Sequence, residues 1–98
     1  MARRTRFFSS ESDRRKFCFL IKEGAERYGH RILAFCFMMN HVHLAIQLKD
    51  VSLSKICQNL CFRYTRFYHY RHETTGYLFQ GRFKSILIDD NLYLEKLV

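Results

Sequence analysis

The sequence predicts a single α+β domain. Two amphipathic helical stretches alternate with short segments of strand periodicity. A length of 98 residues leaves room for one core, and an apolar content of 48% is that of a folded globule. No apolar run approaches the roughly 18 residues of a membrane span. The first residues are basic, but no apolar signal core follows them. The expected setting is cytoplasmic, with no membrane partner.

Residues 1–8 are Arg-rich and without period, which reads as a basic arm ahead of a folded part spanning 9–98. Ser10 with Asp13 resembles a capping box. The helix that should follow places Phe17, Leu20, Ile21, Gly24, Ala25 and Tyr28 on one face and Lys22, Glu23 and Glu26 outward. Gly29 fits its stop signal. From Arg31 to Met39 both alternating sets are apolar, the pattern of a strand covered on both sides. Met39-Asn40 then reads as a tight hairpin into a second strand, Asn40 to Leu48.

That second strand alternates cleanly. Val42, Leu44, Ile46 and Leu48 point one way; His41, His43, Ala45 and Gln47 point the other. Two imidazoles two residues apart lie roughly 7 Å apart along a strand. They can close on one divalent ion. Two half-exposed histidines on a polar sheet face are the plain alternative.

Ser52 can cap a second helix, to about Arg71, with Leu53, Ile56, Cys57, Leu60, Tyr64, Phe67 and Tyr68 as its buried stripe. Its other face carries Lys55, Asn59, Phe62, Arg66 and His69, flanked by Arg63 and Tyr70. Cations among aromatics suit a nucleic-acid strand, phosphates to Arg and bases to rings. A solvated helix face would look the same. Residues 72–80 read as a loop, residues 81–88 as a final strand, and Asp89 as the cap of a last helix edged by Leu94, Leu97 and Val98.

Charge points to the partner class. Seventeen Lys and Arg oppose nine Asp and Glu for a net +8, and eleven of the seventeen are Arg. The guanidinium fork suits phosphate, so nucleic acid leads. Cys18, Cys36, Cys57 and Cys61 form no CxxC pair and read as small hydrophobes of a reducing compartment.

Three segments carry a family resemblance: Asn40-His41-Val42-His43-Leu44, Gly76-Tyr77-Leu78-Phe79-Gln80-Gly81-Arg82-Phe83-Lys84-Ser85 and Asp90-Asn91-Leu92-Tyr93-Leu94. Together they resemble the single-tyrosine HUH transposases, most closely the REP-associated tyrosine transposases. The resemblance implies a ferredoxin-like antiparallel sheet with helices on one face and the catalytic site on the other. It implies Mg2+ or Mn2+ held by His41 and His43, with a third amide or carboxylate-type ligand. It implies cleavage and joining of single-stranded, hairpin-forming DNA through a 5′-phosphotyrosine. Arg82 and Lys84 match the family's basic strand and are expected on DNA, as Arg63 and Arg66 are from the helix pattern. Gln80 and Gly81 match as turn-forming residues. Members work as dimers or monomers by branch, so a homodimer is one of the states allowed.

Two departures bear on activity. The family's nucleophile lies on the helix after the last strand, which here stops at Val98. Tyr93 matches a tyrosine just upstream of it, and its one-turn neighbour Leu97 cannot ligate a metal, so Tyr93 is a weak candidate. The family's first strand, central in the sheet, has no counterpart, since residues 1–8 align with the loop after it. The expectation is a transposase-type domain inactive as this chain, or a non-catalytic binder of DNA or RNA hairpins.

Overall fold

The computed structural model describes residues 7–39, 41–76, 78 and 83–97. The order is α1 (Glu11–Tyr28), β1 (Arg31–Phe37), β2 (Val42–Gln47), α2 (Leu53–His72), β3 (Phe83–Asp89) and β4 (Leu92–Leu97). The strands form one antiparallel sheet in the order β1-β2-β4-β3. Both helices pack on the same side of it. The fold is α+β, in a ferredoxin-like arrangement. Among the described residues no helix is long and apolar enough to cross a membrane.

Local chemistry sets the helix ends. The Ser10 side chain accepts from Asp13 N at 3.3 Å, and Glu11 and Asp13 place negative charge at the positive end of α1. Gly29 ends α1 at φ 77, donating its N–H to Ala25 O at 2.9 Å. A side chain there would meet that left-handed backbone and the Lys49 stem at 3.4 Å. Ser52 accepts from Lys55 N at 3.3 Å and starts α2, whose last turn carries His69, Arg71 and His72 at its negative end.

The core lies between the helices and the Val42–Leu44–Ile46 side of β2. Phe17, Leu20 and Ile21 enter from α1, and Cys57, Leu60, Cys61, Tyr64 and Tyr68 from α2. Burial raises the Cys61 thiol to about 12, and the Cys57 thiol is raised as well. Both therefore pack as hydrophobes. Residues 1–6 lie outside the described residues, but Phe7 and Phe8, placed by the sequence in the arm, belong to the fold. Phe7 is buried, its N–H bonds Met39 O at 3.2 Å, and the Tyr64 hydroxyl donates to its carbonyl. Phe8 meets the rings of Phe17 and Phe37 at 5.4 and 4.9 Å.

Two expectations are corrected. β1 is not covered on both sides. It is an edge strand, and a bulge between Ile32 and Ala34 resets its alternation, so Ile32, Phe35 and Phe37 pair with the core-facing residues of β2. Phe35 nevertheless stays 53% exposed, its ring stacked on that of Phe37. Second, the segment after Asp89 is a strand and not a helix. Asp90, at φ 45, and Asn91 make a two-residue hairpin of residues that tolerate positive φ. β4 then runs back between β3 and β2. It fills the centre of the sheet, the position expected to want a strand, and gives β2 and β3 the ladder partner their backbone groups require.

Candidate metal and nucleic-acid site on the open sheet face

The sheet side away from the helices is built by the alternation of four strands. Cys36 pairs with His43, His43 with Lys96, and Lys96 with Lys84, so these four residues cross the open face as one row. The next row is Ala34, Ala45, Leu94 and Ile86, the last 62% exposed. The face thus has a basic, imidazole-bearing row beside a flat aliphatic one.

His41 stands just before β2, held by the turn, where Met38 N donates to its carbonyl at 2.9 Å. The rings of His41 and His43 meet edge to face, with centroids 5.0 Å apart. Both are half-buried. An ion about 2.1 Å from one nitrogen of each ring needs the two rings this close. The donor set fits half of a divalent site. Among the described residues no group of three His, Cys, Asp or Glu could hold a metal, so the remaining ligands would come from water, from phosphate oxygens or from residues outside that set.

Of the described residues expected at DNA, only Lys84 shares this face. Arg63 pairs with Glu23 and ties α2 to α1. Arg66 lies 5.7 Å above the ring of Phe62, itself 61% exposed, on the outer helical layer. These two arginines therefore sit across the protein from His43. Asn40, Gln80, Gly81 and Arg82 lie outside the described residues. Lys96 was missed by the sequence reading. No local signal marks it: the hydrophobicity of Leu92 to Leu97 fits a helix, and Lys96 comes beside His43 only because that segment pairs as a strand.

Tyr93 pairs with Ile46 and Leu87, which puts it on the helix-facing side of β4. His43 and Tyr93 thus belong to opposite faces of one sheet. Tyr28, Tyr64, Tyr68 and Tyr70 belong to the helices, and burial holds the Tyr64 hydroxyl above its ordinary range. Glu95, on the same side as Tyr93, is fully buried. The Ser85 hydroxyl donates to its Oε2, while Oε1 has no hydrogen-bond partner, and burial raises its pKa against that one opposing bond.

Comparison with known proteins gives one match. A family model described as "Transposase IS200 like" matches residues 1–98. No curated protein and no solved structure matches significantly. With a ferredoxin-like sheet carrying a His-x-His strand, and a family match along its whole length, this chain belongs to the IS200-like transposase family.

Proposed function

We propose that this protein is a DNA transposase-type HUH domain of the REP-associated branch, working on single-stranded, hairpin-forming DNA across the open sheet face. One observation carries the reading: the edge-to-face His41–His43 pair, in register with Lys96 and Lys84 on the side free of helices. His41 and His43 would hold Mg2+ or Mn2+. Bound there, the ion supplies a Lewis acid for the scissile phosphate. Lys84 and Lys96 draw the phosphate backbone across the same row, and Ala45, Leu94 and Ile86 give the bases an aliphatic floor.

The covalent step is a separate matter. A 5′-phosphotyrosine requires a tyrosine hydroxyl on the metal face, and no described tyrosine is there. On the described residues, our reading is a domain that binds metal and strand without cutting on its own. This favours the binding role for the 98-residue chain and the transposase role for its lineage.

The test is a pair of measurements on the purified chain. Manganese EPR should show bound Mn2+ in the wild type and lose it in the His41→Ala, His43→Ala double variant. Hairpin DNA should bind in a salt-dependent manner, with no denaturant-resistant adduct. Persisting Mn2+ binding in the double variant would sink the metal assignment, and a covalent adduct on Tyr93 would sink the claim of inactivity.

A further inference from the structure

The side of the two helices turned away from the sheet is basic and aromatic at once. α2 carries Lys55, Arg63, Arg66 and Arg71 and no Asp or Glu. Arg63 is taken by Glu23 and Arg71 by Asp13, which leaves Lys55 and Arg66, both exposed. Phe62, Arg66 and Tyr70 recur every four residues and so lie in one line along α2, about 6 Å apart. Phe62 is 61% and Tyr70 90% exposed. On α1 the exposed ring is Phe19, at 53%. Lys16 Nζ stands 5.1 Å from its centroid and 5.5 Å from that of Phe67, bridging the two helices. With Arg66 on Phe62 and Lys55 5.9 Å from the Tyr28 ring, four cation–ring contacts lie on this layer. Such contacts occur about once per 70–80 residues, so their concentration on two helices sets this face apart.

The kind of apolar group decides the partner. The exposed large apolar side chains of the helices are Phe19, Phe62 and Tyr70, and every leucine and isoleucine of α1 and α2 is at least half-buried. The open sheet face differs, since it exposes the aliphatic Ile86 and Leu94. A membrane surface takes up aliphatic chains as readily as rings. An acidic peptide would use the cations and leave three rings in water. An unpaired base stacks on a ring while its phosphate meets the neighbouring cation. We propose that Phe19, Phe62 and Tyr70, with Lys16, Lys55 and Arg66, form a second, metal-independent track for unpaired single-stranded DNA on the outer helical layer. The rings take bases and the cations take the phosphates between them. Lys55 to Tyr70 spans about 22 Å of helix, which is room for several nucleotides. The track lies across the protein from His43 and shares no residue with the His41–His43 site, so it stands independently of that reading.

The chain has no tryptophan, so Tyr70→Trp places a single reporter on this face alone. In the full chain, with a chelator present, a thymidine homopolymer of about ten nucleotides should quench that indole by stacking on it. Phe62→Ala in the same background should raise the quenching midpoint at least about fivefold. Phe62→Leu keeps apolar area without a ring face and should raise it as well. Arg66→Gln should lower the slope of log affinity against log salt by about 0.7. Lys84→Gln with Lys96→Gln, on the open face, should move the quenching midpoint less than Phe62→Ala does. Strand binding seen by anisotropy without quenching overturns this inference and leaves the open face standing. If neither signal detects binding, both surfaces fall. A midpoint unchanged by Phe62→Leu means contact with apolar area alone and overturns it. So does an indole that anionic phospholipid vesicles shift and the DNA strand does not, which assigns the face to a membrane. Equal quenching by a fully paired duplex, whose bases cannot stack on the rings, also overturns it. Unfolding midpoints by circular dichroism check that each variant is folded.

Discussion

Glu95 makes the stability of this protein depend on pH in a direction opposite to that of a paired surface carboxylate. Its side chain is fully buried on the helix-facing side of β4. Ser85 of β3 donates to one oxygen, and the other has no partner. Leu44 of β2 lies beside it in register, and the Cys57 and Cys61 thiols of α2 lie within its electrostatic reach. No cation faces it from these neighbours, and burial raises its pKa above the ordinary 4.5. A raised folded value means that the native state holds the proton more tightly than the unfolded chain. The associated stability is fully present below about pH 4.5 and is lost as pH rises through the folded value. Between those limits the loss is about 1.4 kcal/mol per pH unit. For a domain of this size that lowers the melting midpoint by about 6–11 °C per pH unit. Glu95→Gln keeps the shape and cannot ionise, so its melting curve should lack this component. Thermal unfolding of both proteins across pH 4 to 8 at fixed ionic strength isolates Glu95 by difference, since every other titrating group is shared. Parallel midpoints over that range would refute the reasoning.

Three further outcomes follow from particular contacts. Asp13 is fully buried and joins the start of α1 to the end of α2, accepting from Ser9 N at 2.9 Å, meeting His72 Nε2 at 2.9 Å and lying 3.6 Å from Arg71 Nε. Asp13→Ala should cost about 3 kcal/mol in urea unfolding, because it strands those donors. Lys84→Gln and Lys96→Gln should each reduce the slope of log affinity against log salt for single-stranded DNA by about 0.7, read by fluorescence anisotropy. Asp90, at φ 45, should accept Gly with little change, while Asp90→Val should destabilise by about 1–2 kcal/mol in thermal melts.

What was legible in the sequence was whatever a single period or cap fixes. Ser10, Gly29 and Ser52 marked helix ends because capping is local chemistry. The β2 alternation separated Val42, Leu44 and Ile46 from His43 because a strand half-covered by helices admits no other register. The failures were non-local. β1 is apolar on both sets, so nothing along it announced the bulge at Leu33 or its place at the edge of the sheet. The Arg63 and Arg66 pattern gave a helix face without saying which side of the protein that face occupies. Arg63 turned out to hold Glu23, and neither arginine joins His43. Lys96 became visible as a neighbour of His43 only once β4 was known to be a strand.

The segment Leu92–Leu97 shows why that last assignment resisted reading. At helical spacing Leu94 and Leu97 make an apolar edge, with Glu95 and Lys96 turned outward. At strand spacing Tyr93, Glu95 and Leu97 go inward, which buries a carboxyl group. Local hydrophobicity alone therefore favours the helix. What opposes it is the rest of the sheet. A strand between β2 and β3 satisfies backbone groups along both of them, and it buries Leu97 in the core. Leaving those groups unpaired under the helical layer costs more than one buried carboxyl bonded to Ser85. The strand is thus selected by its neighbours against its own pattern, and Glu95 marks the conflict between the two. The same choice sets Lys96 beside His43 on the open face and turns Tyr93 away from it, so the buried acid and the layout of the metal face are consequences of one backbone decision.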